Sequence, residues 1–160
     1  MSLTFPSNPI SGDTTFTGSK TWIYDGERWS VESIYADDFT MMLAVTDENS
    51  DIFTGVSKIS FRAPFPFFIY KIPRASLVTA GTGSPTVIDI KVGGTSIFAT
   101  GQKLSIDATE KTSTTATTAA GPLNLMNTTI TDDSEVTVDI TSASTGAKGL
   151  KVILYLRRTA

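Results

Sequence analysis

The chain has 160 residues, 13 Lys and Arg against 16 Asp and Glu, and neither histidine nor cysteine. That length allows one domain with an appendage, while the missing His and Cys exclude Ser–His–Asp and Cys–His machinery, disulfide staples and the favoured ligands of zinc. A charge balance this close to neutral argues against nucleic acid as a partner, which requires a clustered positive field.

The N-terminus, MSLTFPSNP, has neither the basic nor the apolar region of a secretory signal. No run of about 18 apolar residues is available to span a membrane, so a soluble chain made in the cytoplasm is expected. Residues Ser2 to Gly18 are rich in Pro, Ser, Asn, Thr and Gly. Pro6 and Pro9 fix φ and remove donors, which favours an extended arm over a helix. SKTWIYDGERWSVES then reads as a hairpin turning at Asp25-Gly26, with Trp22, Tyr24 and Trp29 flanking the turn. An isolated hairpin is marginal in water, so these rings are expected to staple it to a neighbour, with sugar stacking as the other use of exposed rings. Residues 1–50 are therefore read as an arm and hairpin for assembly or attachment, and residues 51–160 as the globular body.

Phe39, Met41, Leu43 and Val45 alternate as a strand does. Asp47 to Asp51 carries oxygen ligands at alternate positions. Ile52 stands where a calcium loop needs glycine and Lys58 where it needs its bidentate glutamate, so a solvated turn is expected and no metal. Ile59 and Phe61 oppose Ser60 and Arg62. Pro64 and Pro66 bracket Phe65, and Phe67-Phe68 follows, which predicts an edge or loop because proline cannot donate to a central ladder. So irregular a segment hides rings poorly, and Phe65, Phe67, Phe68 and Tyr70 are candidates for an apolar subunit interface.

Strands are predicted at Arg74–Ala80, Thr86–Val92 and Thr95–Thr100, with Gly93-Gly94 as a two-residue hairpin loop. Leu104 and Ile106 mark another. Glu110 to Ala120 reads as loop or weak strand, and Gly121-Pro122 as a break. Further strands follow near Thr128–Ile130 and over Glu135–Thr141. The closing GLKVILYLRR places Leu150, Val152, Leu154 and Leu156 on one face of a long, central strand. The fold class is all-β: a two-sheet antiparallel sandwich of jelly-roll type. Asp132, Asp133 and Glu135 cluster in one turn, not across a cleft, so glycosidase chemistry is not expected. Neither glycine-rich phosphate motif occurs. No cofactor and no enzymatic activity are expected.

The stretch FPSNPISGDTTFTGSKTWIYDGERW resembles a short module of tailed-bacteriophage particle proteins, those of cyanobacterial phages in particular. Pro6, Asn8, Pro9, Gly12, Trp22, Tyr24, Asp25, Gly26 and Trp29 carry the likeness. A second stretch is similar to a β-sandwich domain of phage proteins. It is marked by Phe61-Arg62-Ala63-Pro64, Gly83-Ser84, Val87-Ile88-Asp89-Ile90, Gly94-Thr95-Ser96-Ile97 and Gly149-Leu150-Lys151-Val152. The resemblance implies a non-enzymatic protein on the exterior of a virion, a homotrimer as a rule. Its partners would be its own copies, the major capsid protein or other virion proteins, and a host-surface glycan. The chain has neither coiled-coil heptads nor β-helical repeats, which favours a head-decoration (cement) protein over a fibre or baseplate protein that binds a receptor. A small glycan-active enzyme is the third and least favoured expectation.

Overall fold

Among the described residues, alternating β-branched and aromatic residues build twelve antiparallel strands and no helix. The computed structural model describes residues 5–17, 20–32, 38–117 and 123–158. Expectations for residues 1–4, 18, 33–37 and 118–122 lie outside the described residues; these are the ends of the arm, the lead into the fourth strand, the close of the Thr/Ser/Ala loop and the Gly121-Pro122 break. The chain divides into two compact units, residues 1–37 and 38–159.

In the first unit β1 (Thr14–Thr17), β2 (Lys20–Tyr24) and β3 (Trp29–Glu32) form one sheet in that order. The stretch read as an arm thus contributes a strand: Thr15 lies opposite Trp22, and the Tyr24 N–H donates to the Asp13 carbonyl at 2.9 Å. The β2–β3 hairpin closes through four residues rather than two, with Tyr24 opposite Trp29. Asp25 builds that loop by accepting the N–H of Arg28 at 2.8 Å and of Glu27 at 2.9 Å. Those two bonds hold its carboxyl below the ordinary range. Gly26 completes the loop at φ 105°, a backbone angle that side chains resist.

The second unit is a sandwich of two sheets. One runs β10 (Thr129–Ile130), β6 (Phe67–Ser76), β12 (Lys151–Arg158), β4 (Asp38–Ala44). The other runs β5 (Gly55–Arg62), β11 (Glu135–Ser142), β7 (Thr86–Val92), β8 (Thr95–Ser96), with β9 (Leu104–Ile106) also paired to β7. In β12 the predicted alternation holds: Val152, Leu154 and Leu156 are fully buried, while Ile153, Tyr155 and Arg157 occupy the other face. Val136, Val138 and Ile140 of β11 and Ile88 and Ile90 of β7 complete the core from the second sheet. Each apolar face leaves water only by covering the other, a gain of about 25 cal/mol per Å².

Three boundaries differ from expectation. The division falls between residues 37 and 38, not at residue 50, because β4 pairs with β12 along its whole length and brings Leu43 into the core. Pro64 and Pro66 do lie in a loop, but β6 starts at Phe67 and runs between two partners, β10 and β12. Pro73 is tolerated inside it because the pairing with β12 steps from Lys71 to Arg74, an irregularity that needs no donor from the proline. The strand expected from Thr95 to Thr100 stops at Ser96. The Gly93-Gly94 turn before it is as predicted, with φ of 55° and 82°.

Leu154→Ala should lower stability by about 2–5 kcal/mol, and Met42→Ala on the exposed face by less than about 0.5 kcal/mol. Urea unfolding followed by circular dichroism checks both. Similar losses for the two variants would contradict the assignment of faces.

Candidate functional site

The predicted rings of the first unit come together. Phe5 of the proline-rich stretch meets Trp22 edge-on at 5.2 Å and stacks on Trp29 at 5.3 Å; Tyr24 lies 5.4 Å from Trp29. The staple is therefore internal to this unit, made by Phe5, a ring that the sequence did not single out. Burial leaves the indole N–H of Trp22 without an acceptor. The residues that carry the likeness have local duties here: Asn8 and Gly12 take φ of 60° and 95°, and the Gly12 N–H donates to the Tyr24 carbonyl.

The other four candidates separate. Phe67 is wholly buried, and Phe65 packs between Phe39 and Phe67, each 5.9 Å away. Phe67 belongs to the core, which leaves it no surface for an interface, and the half-buried Phe65 lies at the core's margin. Phe68 and Tyr70 lie on the outer side of the four-stranded sheet, where the Arg157 guanidinium stands 5.7 Å and 4.8 Å from their ring centres. Arg157 also grips Asp38 through two bonds, at 2.5 and 3.1 Å. That grip lowers the pKa of the carboxyl and raises that of the guanidinium.

Further along the same face, Tyr155 lies opposite Lys71 on one side and Thr40 on the other. The Lys71 ammonium is 4.9 Å and the Arg74 guanidinium 5.9 Å from the centre of the Tyr155 ring. Among the described residues no carboxylate pairs with either cation. The face here is thus cationic and aromatic rather than purely apolar.

A third feature escaped sequence reading. Asp89 and Asp139, 3% and 2% exposed, lie directly opposite each other on β7 and β11, a placement that disfavours two carboxylates. Each has its own neutralising partners. Asp139 accepts from the Lys91 ammonium at 2.6 Å and the Ser57 N–H at 2.7 Å; Asp89 accepts from the Ser96 hydroxyl at 2.6 Å and the Lys103 ammonium at 3.2 Å. Ser57, at φ 47°, lies in the bulge where β5 steps past β11, so the carboxylate stabilises the backbone that serves it. Burial pushes the Asp139 carboxyl up, but the bonds from Lys91 and Ser57 and the charges of Lys91 and Lys103 outweigh it and leave it lowered. Such a carboxylate is poorly suited to donate a proton near neutrality. The signal was present as an aspartate flanked on both sides by apolar residues in each of two strands, TVIDIKV and EVTVDITS.

The remaining acids behave as expected. Asp47 caps its own turn by accepting the N–H of Asn49 and of Ser50, and Asp133 pairs with Arg62 at the surface. No group of three or more potential metal ligands occurs among the described residues. No protein-family profile, curated protein or solved structure matches the chain.

Asp139→Asn should destabilise the sandwich by about 1–3 kcal/mol at neutral pH, because Lys91 loses its counter-charge. The folded-state carboxyl is lowered, so its contribution is complete above 3.8 and disappears as pH falls through the folded value. Lys91 is raised by Asp139, first through their hydrogen bond, so the pair's contribution also fades as pH climbs beyond 10.5. Urea midpoints of both proteins across pH test this: the gap should stay constant between those limits and close outside them. A gap that widened in acid would contradict the assignment.

Proposed function

We propose that the chain is a non-enzymatic structural component on the exterior of a tailed-phage virion: a head-decoration protein that assembles as a homotrimer and braces the major capsid protein. The observation that carries this reading is the separate N-terminal unit, in which Phe5, Trp22, Tyr24 and Trp29 gather on a small sheet. A sheet of three short strands has little core of its own and gains from a partner surface. Rings on such a unit are the residue type that anchors protein contacts. The resemblance of this segment to phage particle modules supports the same reading. The outer face of the four-stranded sheet sets the cations Lys71 and Arg74 over its rings, which makes the N-terminal unit the favoured apolar contact.

Particles assembled with the Trp22→Ala, Trp29→Ala double variant should carry far fewer copies, since losing the two rings that pack on Phe5 dismantles the N-terminal unit and weakens attachment through it by more than about a hundredfold. Copies per purified particle are counted by quantitative gel, with circular dichroism checking that the sandwich is intact. Full incorporation would overturn the reading. A receptor-binding tail or baseplate component is the second reading, favoured by the ring-and-cation face at Tyr155; normal incorporation with lost host adsorption would select it.

A further inference from the structure

Lys71 and Arg74 converge on one ring, that of Tyr155, and among the described residues no carboxylate pairs with either. Two like charges drawn to one ring raise each other's energy, whereas Lys91, Lys103, Lys148 and Lys151 each have an acid. The same two residues border a depression of about 330 Å³, within the size range of ligand sites. The depression exists because β6 is irregular there. Its pairing with β12 steps past Ile72 and Pro73, and β10 pairs with β6 only at Phe67 and Phe68, so this part of the strand lacks a neighbour on that side within the sheet. Ile72, Pro73 and Leu123 give the depression an apolar wall. Ser113 and Thr114 add hydroxyls; Ser113 Oγ accepts the Ala75 N–H at 2.9 Å and keeps its own hydrogen to donate.

We infer that this depression binds an acidic sugar residue of a polysaccharide, with the Lys71 and Arg74 cations taking its carboxylate and the cavity taking its ring. The apolar wall suits the C–H face of a pyranose, and the hydroxyls suit its oxygens. A guanidinium beside an ammonium matches a carboxylate as a charge-assisted hydrogen-bonding pair. A nucleic acid fits less well: its bases need uncovered ring faces to stack on, and the Tyr155 ring already has both cations over it. A self-contact is disfavoured by charge. The inference goes beyond the assembly reading and does not depend on it.

The test uses the full-length protein and three probes in titration calorimetry at low salt: oligogalacturonate, a neutral dextran oligomer of equal length, and a thymidine oligonucleotide. Oligogalacturonate should bind, dextran should not, and affinity should fall as salt rises. Lys71→Gln with Arg74→Gln should weaken binding by at least about tenfold, whereas Lys58→Gln on the other sheet should leave it unchanged. All three substituted residues are exposed, so folding is preserved and is verified by thermal melting. No binding of oligogalacturonate, equal binding by the double variant, or equal binding of the oligonucleotide would each overturn the assignment. Because the readout is binding by free protein, its failure leaves incorporation into particles, and hence the assembly reading, untouched.

Discussion

Two apolar sheet faces that can be hidden only against one another set the terms for the rest of the sandwich. The chain has no cysteine to staple it and, among the described residues, no helix to cover a sheet. Leu154 of β12 and Ile90 of β7 must therefore leave water through the same contact layer, and every strand that carries part of that layer is committed to one register. A slip of one residue in β12 would bring Tyr155 and Arg157 into the core. The two outer faces are then the surfaces left to carry chemistry.

Those outer faces manage charge in opposite ways. On the five-stranded sheet two aspartates meet across the ladder, and lysines, a hydroxyl and a bulge N–H are arranged to neutralise them. The result is a closed network whose effect is structural. On the four-stranded sheet, Arg157 is answered by Asp38 and Lys151 by Glu48, but Lys71 and Arg74 are answered only by a ring. Two cations that share one ring, with no carboxylate paired to either among the described residues, are where an external anion can be accommodated. The first face explains how the fold holds, and the second what it could meet.

Local pattern made some of this legible in the sequence. The alternation of β12 and β11 and the Gly93-Gly94 turn depend on neighbours in sequence, and each was readable there. What could not be read depends on partners far along the chain. β4 joins the sandwich only because its partner, β12, lies more than a hundred residues later. Phe67 is buried because it opens a long strand rather than sitting in the loop that Pro64 and Pro66 suggested. Likewise Asp89 and Asp139 look like isolated acids until β7 and β11 set them side by side. Of the predicted interface rings, those in the first unit do gather, while Phe68 and Tyr70 acquire a character, through Arg157, that composition alone did not suggest.

The chain joins a sandwich to a small ring-bearing unit, and the central proposal is that it works by assembly. Light scattering on the purified full-length protein across a dilution series tests that most directly. The account predicts the mass of three 17.1-kDa chains, unchanged on dilution. A monomer at every concentration would contradict it.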